Sequence, residues 1–132
     1  MKFKARGHPL ITATHKNTFE LTREESMTEN GDCIIGVAAD FDFHELKEFI
    51  RGVGSARIIM EVEGHREVSE FLVNDHFDDD EEIVVRRTDF ISGRTLGTRA
   101  DRVCKDFSRD FVKSLQSRDS TLNITIERLN KI

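Results

Sequence analysis

The sequence predicts an α+β fold: mainly antiparallel β, with a sandwich-like body of about seven strands and two helices packed on it. Three observations carry this. Apolar and polar residues alternate with period two in several stretches, among them 2–6, 10–22 and 122–126. Only two stretches, one after Asp42 and one at about 99–116, place apolar residues at helical spacing. The resulting order is strands, helix, strands, helix, strand, which lacks the βαβ alternation of a doubly wound parallel sheet.

Residues 2–6, Lys-Phe-Lys-Ala-Arg, alternate as a short strand, and Gly7-His8-Pro9 interrupts it. The residue before a proline is pushed towards extended geometry, so His8 is expected in β or polyproline space, at a bulge or a turn. Residues 10–22 alternate over a long stretch. Ile11, Ala13, His15, Asn17, Phe19 and Leu21 share one face, and Thr12, Thr14, Lys16, Thr18, Glu20 and Thr22 share the other. This predicts a half-buried strand. Thr28-Glu29-Asn30-Gly31 is turn chemistry, and the apolar run 33–39 reads as a central strand.

Asp42 with Glu45 three residues on forms a capping-box-like helix start, Leu46, Phe49, Ile50 and Val53 give that helix an apolar face, and Gly52 and Gly54 end it. Residues 57–63 and 67–73 read as a hairpin around Gly64, and Ile83-Val84-Val85 as a further strand. The second helix is expected at about 99–116, capped by Thr98. Ala100, Val103, Cys104, Phe107, Phe111 and Leu115 form its stripe, which makes Cys104 a packed, inert thiol. Leu122, Ile124 and Ile126 mark a C-terminal strand.

The chain has 132 residues and a formal net charge of −5, and it reads as one domain over residues 1–132. No apolar run approaches the roughly 20 residues that span a bilayer, and the first residues lack the apolar core of a secretory signal. The expectation is a soluble, cytoplasmic protein with no membrane partner and with Cys33 and Cys104 reduced. The charge is uneven. Asp75, Asp78, Asp79, Asp80, Glu81 and Glu82 form an acidic run that reads as a solvated loop, and residues 86–105 are net positive.

Four features stand out as candidate chemistry. His15 lies on an apolar strand face made locally polar by Asn17, where a neutral imidazole needs a partner such as Asp32 or Thr18. Arg6-Gly7-His8-Pro9 puts a cation and an imidazole at a backbone irregularity. Asp32-Cys33 sits between a turn and a strand, and with His15 it would resemble a Cys/His/Asp nucleophile arrangement. Ser92-Gly93-Arg94-Thr95-Leu96-Gly97-Thr98 precedes the expected second helix, where free amides and Arg94 suit a phosphate or carboxylate. The pattern is not a P-loop, and no zinc spacing occurs. No cofactor is indicated.

Taken together, Ala5-Arg6-Gly7-His8-Pro9, Thr14-His15 with Thr18, Glu20 and Thr22, and Gly31-Asp32-Cys33-Ile34-Ile35-Gly36 resemble the archaeal domain-of-unknown-function 371 family. Arg86-Arg87-Thr88-Asp89-Phe90, Arg94-Thr95-Leu96 and Ala100-Asp101 resemble its C-terminal block, whereas 75–82 looks like a variable loop. The resemblance implies a soluble, cytoplasmic domain with a β-sandwich-like body. It carries over no catalytic role.

Three functional expectations follow. The first is a site for a small anionic ligand, phosphate- or carboxylate-bearing. Arg6, Arg87, Arg94 and Thr95 would hold it. His8 or His15 would move a proton with Asp32 fixing the tautomer, and Cys33 lies alongside. The second is a divalent-metal site on His8, His15 and Asp32, with or without Cys33. The third is an RNA or protein interaction module supported by the basic stretch 86–105. The negative net charge and the absence of Tyr and Trp make nucleic acid the weaker partner.

Overall fold

The computed structural model describes residues 1–131. Among the described residues eight strands and two α-helices are present: β1 Lys2–Arg6, β2 Thr18–Thr22, β3 Ile34–Gly36, α1 Phe43–Ile50, β4 Val53–Val62, β5 His65–Val73, β6 Glu82–Arg86, β7 Thr95–Thr98, α2 Arg109–Ser114 and β8 Thr121–Lys131. The fold is therefore α+β.

The strands form a single mixed sheet in the order β1-β8-β4-β5-β7-β6-β2-β3, rather than two packed sheets. Five neighbouring pairs are antiparallel, and β2–β3 and β6–β7 are parallel. The two edge strands meet. Arg6 N–H donates to Val37 O at 2.7 Å and Val37 N–H to Arg6 O at 2.9 Å, an antiparallel bridge that joins β1 to the chain just after β3. The sheet thus curls into a closed barrel, which removes the exposed edges that invite intermolecular pairing.

The barrel interior follows from strand alternation. Phe3 and Ala5 of β1, Phe19 and Leu21 of β2, Ile83 and Val85 of β6, and Leu122, Ile124 and Ile126 of β8 all point into one core. Helix α1 forms as its sequence predicts. Asp42 accepts a hydrogen bond from Glu45 N–H at 2.8 Å, Gly52 takes a left-handed φ of 69° past its end, and Leu46 and Ile50 join the core. The hairpin turns at Glu63-Gly64, both with positive φ, as a two-residue turn matched to strand twist requires.

Three expectations are corrected. The central strand expected over 33–39 is the three-residue β3, at one end of the strand order. The long strand over 10–22 shrinks to Thr18–Thr22. Burial still alternates before it, with Ile11 and Ala13 buried and Thr12 and Thr14 exposed, but the backbone pairs with no strand. Ala13 has φ 48°, the N–H groups of Thr14 and His15 both donate to Asp32 O, and side chains of Gln116 and Arg109 take the carbonyls of Ile11, Thr12 and Ala13.

The long helix expected at 99–116 is replaced by a 3-10 turn at Cys104–Asp106 and the short α2, and its expected cap Thr98 is the last residue of strand β7. Arg99 has φ 54°, and Val103, Phe107 and Ser108 are extended. Local side chains take backbone donors that a helix would have used: Asp106 accepts from Val103 N–H and Ser108 caps α2 through Phe111 N–H. The apolar stripe is buried as expected, Cys104 included, but on this broken path.

Candidate functional site

The strand β2 alternates Thr18, Glu20 and Thr22 on the face away from the core. Such a face is ordinarily wet. Here all three residues are buried, and so is Thr95 on β7. The topology explains it. A parallel neighbour must be reached by a crossover. The crossovers 23–33 and 87–94 carry no helix, and each folds back over the outer face of β2 and β6. Ser26, Met27 and Thr28 of the first line a cavity of about 310 Å³ together with Glu20, Thr22 and Glu82. Ser92 and Arg94 of the second bond to Thr95, Glu20 and Glu82. Register shifts at Glu20/Leu21 and Val84/Val85 fall inside this region, where bulges re-aim side chains.

Beneath this roof lies a compact polar cluster. Arg94 Nη1 donates to Glu20 Oε1 at 3.2 Å and to Glu82 Oε1 at 3.3 Å. The Glu20 side chain is only 6% exposed. Burial, the nearby Glu82 carboxyl and a hydrogen bond to it push the Glu20 carboxyl up to about 8, against the opposing pull of Arg94 and Arg86. These causes favour the protonated carboxyl at Glu20, and with Glu82 beside it the proton belongs to the pair rather than to either residue alone.

Arg86 Nε donates to Thr95 Oγ1 at 3.0 Å, and the guanidinium lies over the exposed Phe90 ring at 4.8 Å. Among the described residues Arg86 has no carboxylate partner. Burial and Arg94 lower its pKa. Thr95 Oγ1 also accepts from Ser92 N–H at 3.0 Å. Cys33 completes the cluster: its carbonyl accepts from Glu20 N–H at 2.8 Å, and burial, with Glu20 and Asp32, pushes its thiol up to about 11. A thiol so held is a poor nucleophile at neutral pH.

Of the residues singled out from sequence, Cys33, Arg94 and Thr95 come together here, with Asp32 adjacent. The others lie apart from the hydrogen bonds and ion pairs of this cluster. Arg6 is exposed at the barrel seam. Arg87 is tied to Asp106 and braces the 3-10 turn. His8 is buried against the end of α2, its N–H donating to Leu115 O at 2.8 Å.

The two histidines do the same local work. His8 Nδ1 accepts from Leu10 N–H at 3.1 Å and His15 Nδ1 from Asn17 N–H at 3.0 Å, each closing a turn two residues on. Asp32 meets His15 through its backbone carbonyl, not its carboxylate. Among the described residues no group of three or more His, Cys, Asp or Glu side chains is arranged to hold a metal ion, which removes the geometric basis of a His8/His15/Asp32 metal site.

The anion site expected at a helix start is also corrected. Thr95–Thr98 is strand β7, and Thr95 N–H donates to Ser92 O. The basic stretch 86–105 is largely neutralised by Asp106, Glu20, Glu82, Asp89 and Glu67, bound to Arg87, Arg94, Arg99 and Arg102.

Sequence reading missed Glu20, Glu82 and Arg86. Glu20 had a signal, a lone charge between two threonines in a strand. Glu82 had one too: it closes the acidic run directly against the β-branched Ile83-Val84-Val85, so it belongs to the strand and not the loop.

Comparison with known proteins agrees with the sequence pattern. A family model described as a domain of unknown function, DUF371, matches residues 3–129. An uncharacterised protein of Methanocaldococcus jannaschii is 38% identical over 122 residues, which cover 86% of this chain and 88% of that protein. Among the described residues no helix is long and apolar enough to cross a membrane.

Proposed function

The chain belongs to the domain-of-unknown-function family DUF371, and for this member we propose that it binds a small anionic ligand, phosphate- or carboxylate-bearing, on the outer face of β2, β6 and β7. The observation that carries the reading is Arg86. Its guanidinium is half-buried, is fixed through Nε by Thr95, is stacked on Phe90, and has no carboxylate among the described residues. A partly desolvated guanidinium with its outer edge unpaired is a ready oxyanion anchor.

The roles expected of other residues are reassigned in this reading. Arg94 holds the Glu20–Glu82 pair, Thr95 positions Arg86, and Glu20 takes the proton-handling place expected of His8 or His15. Cys33 and Asp32 border the ligand, whereas Arg6 and Arg87 stand outside it. The test is a thermal-shift panel of phosphate, sulfate, nucleotides and small organic acids on the wild type and on Arg86→Ala. At least one anion is expected to raise the wild-type Tm by several degrees and to leave the variant unmoved. A wild type indifferent to the whole panel overturns the reading.

A further inference from the structure

Resting on that reading, we propose that Arg86 takes its oxyanion together with the proton shared by Glu20 and Glu82, so that the site is a proton-coupled anion site. The geometry sets up the coupling. Both carboxyl groups lean on the same nitrogen of Arg94, at 3.2 and 3.3 Å. Glu20 stands on β2 opposite Val84, one diagonal step from Arg86, which pairs with Thr18. Diagonal neighbours of this kind are roughly 7–8 Å apart between Cα atoms, close enough for long side chains to interact.

The charges facing Glu20 come from every element around it: Glu82 and Arg86 on β6, Arg94 before β7, Cys33 and Asp32 before β3, and Glu24 at the cavity rim. With one proton in the carboxyl pair, Arg86 and Arg94 face a single carboxylate of that pair, and these four side chains together carry one net positive charge. Without it the two arginines face two carboxylates and the same four side chains sum to zero, one unit less positive whatever Asp32 and Glu24 add. Cys33 stays a neutral thiol until about 11, so it does not blur the change. The proton on the pair is thus the switchable charge beside the anion anchor, and it leaves at about 8. An anion favoured by the protonated form must, by linkage, raise the affinity for that proton.

The test uses sulfate, which stays fully ionised across the pH range, with ionic strength held constant by sodium chloride. Binding is followed by NMR at the Arg86 Cζ resonance, at pH 7 and pH 9. One-proton linkage about a midpoint near 8 predicts about tenfold weaker sulfate binding at pH 9 than at pH 7 in the wild type. Glu20→Gln, whose amide does not titrate, is expected to bind equally at both. Glu82→Gln provides a second check. It removes the carboxyl that opposes ionisation of Glu20, so the midpoint of the pH dependence moves down. Sulfate binding that depends on Arg86 but is unchanged between pH 7 and 9 overturns the coupling and leaves the anion site standing. Absence of Arg86-dependent binding at both pH values overturns the anion site, and the coupling with it.

Discussion

Glu20 and Glu82, 62 positions apart in the chain, meet on one nitrogen of Arg94. Two carboxylates held this close cannot both be charged without cost, and the buried member yields. Its elevated pKa makes a prediction about the stability of the whole molecule.

The folded-state value of Glu20, about 8, lies above the 4.5 of an unperturbed glutamate. Between those two pH values the native state binds more protons than the unfolded chain, so stability is full below 4.5 and falls as pH rises through 8. Glu20→Gln has no such slope. Urea unfolding at pH 5 and pH 8.5 is expected to show a gap between variant and wild type that grows in the variant's favour by roughly 4 kcal/mol. A gap that stays constant with pH would mean that Glu20 is ionised at pH 7.

The opposite sign is expected at His8. Burial, aided by Arg118, lowers its pKa from 6.5, and its Nδ1 already accepts from Leu10 N–H. The unfolded chain therefore takes up the proton first. The stability contributed by the neutral ring is present above 6.5 and is lost as pH falls towards the lowered folded value. His8→Asn supplies a side-chain oxygen in place of Nδ1 without titrating. Its stability is expected to change less than that of the wild type between pH 7 and pH 5. Parallel curves would show that His8 titrates normally.

These two residues also mark what was legible in the sequence. Local patterns carried well: Asp42 with Glu45 started α1, Gly64 turned the hairpin, and the alternation of Leu122, Ile124 and Ile126 became β8. Alternation proved to report burial rather than pairing, since Ile11 and Ala13 are buried on a segment that is no strand. The helical spacing from Ala100 to Leu115 likewise reported burial on a path broken at Arg99, Val103 and Ser108.

The site was less legible for a topological reason. Nothing in the residues 23–33 or 87–94 announces a crossover between parallel strands, and without the crossovers Glu20 reads as solvent-facing. The same gap made the arginines of 86–105 look alike. Only their partners, Asp106 for Arg87 and the glutamates for Arg94, single out Arg86.

Ala38 sits one residue past the bridge that closes the barrel, with φ 50°. A side chain in the left-handed region costs roughly 1–2 kcal/mol, which glycine avoids at some entropic penalty in the unfolded chain. Ala38 is half-buried, so losing its methyl leaves little cavity. Ala38→Gly is expected to stabilise by about 0.5–1 kcal/mol, read from the urea midpoint. A destabilisation would mean that packing of the methyl outweighs the backbone strain.

Gly7 and Gly52 separate two reasons for a glycine. At Gly7 a Cβ would run into Leu115 O and Ser117 O, backbone atoms of the turn that leads from α2 to β8. These atoms cannot step aside, because Gly7 N–H donates to Ser120 O and His8 N–H to Leu115 O, tying the end of β1 to that turn. Gly7→Ala must therefore pull β1 and the turn apart, at about 2–4 kcal/mol. At Gly52 a Cβ would meet nothing within 4 Å, and only φ 69° resists substitution. Gly52→Ala is expected to cost about 1 kcal/mol. Both variants unfolded in urea under one condition decide the matter. If Gly7→Ala costs no more than Gly52→Ala, the close approach of β1 to the α2–β8 turn is not what fixes the glycine there.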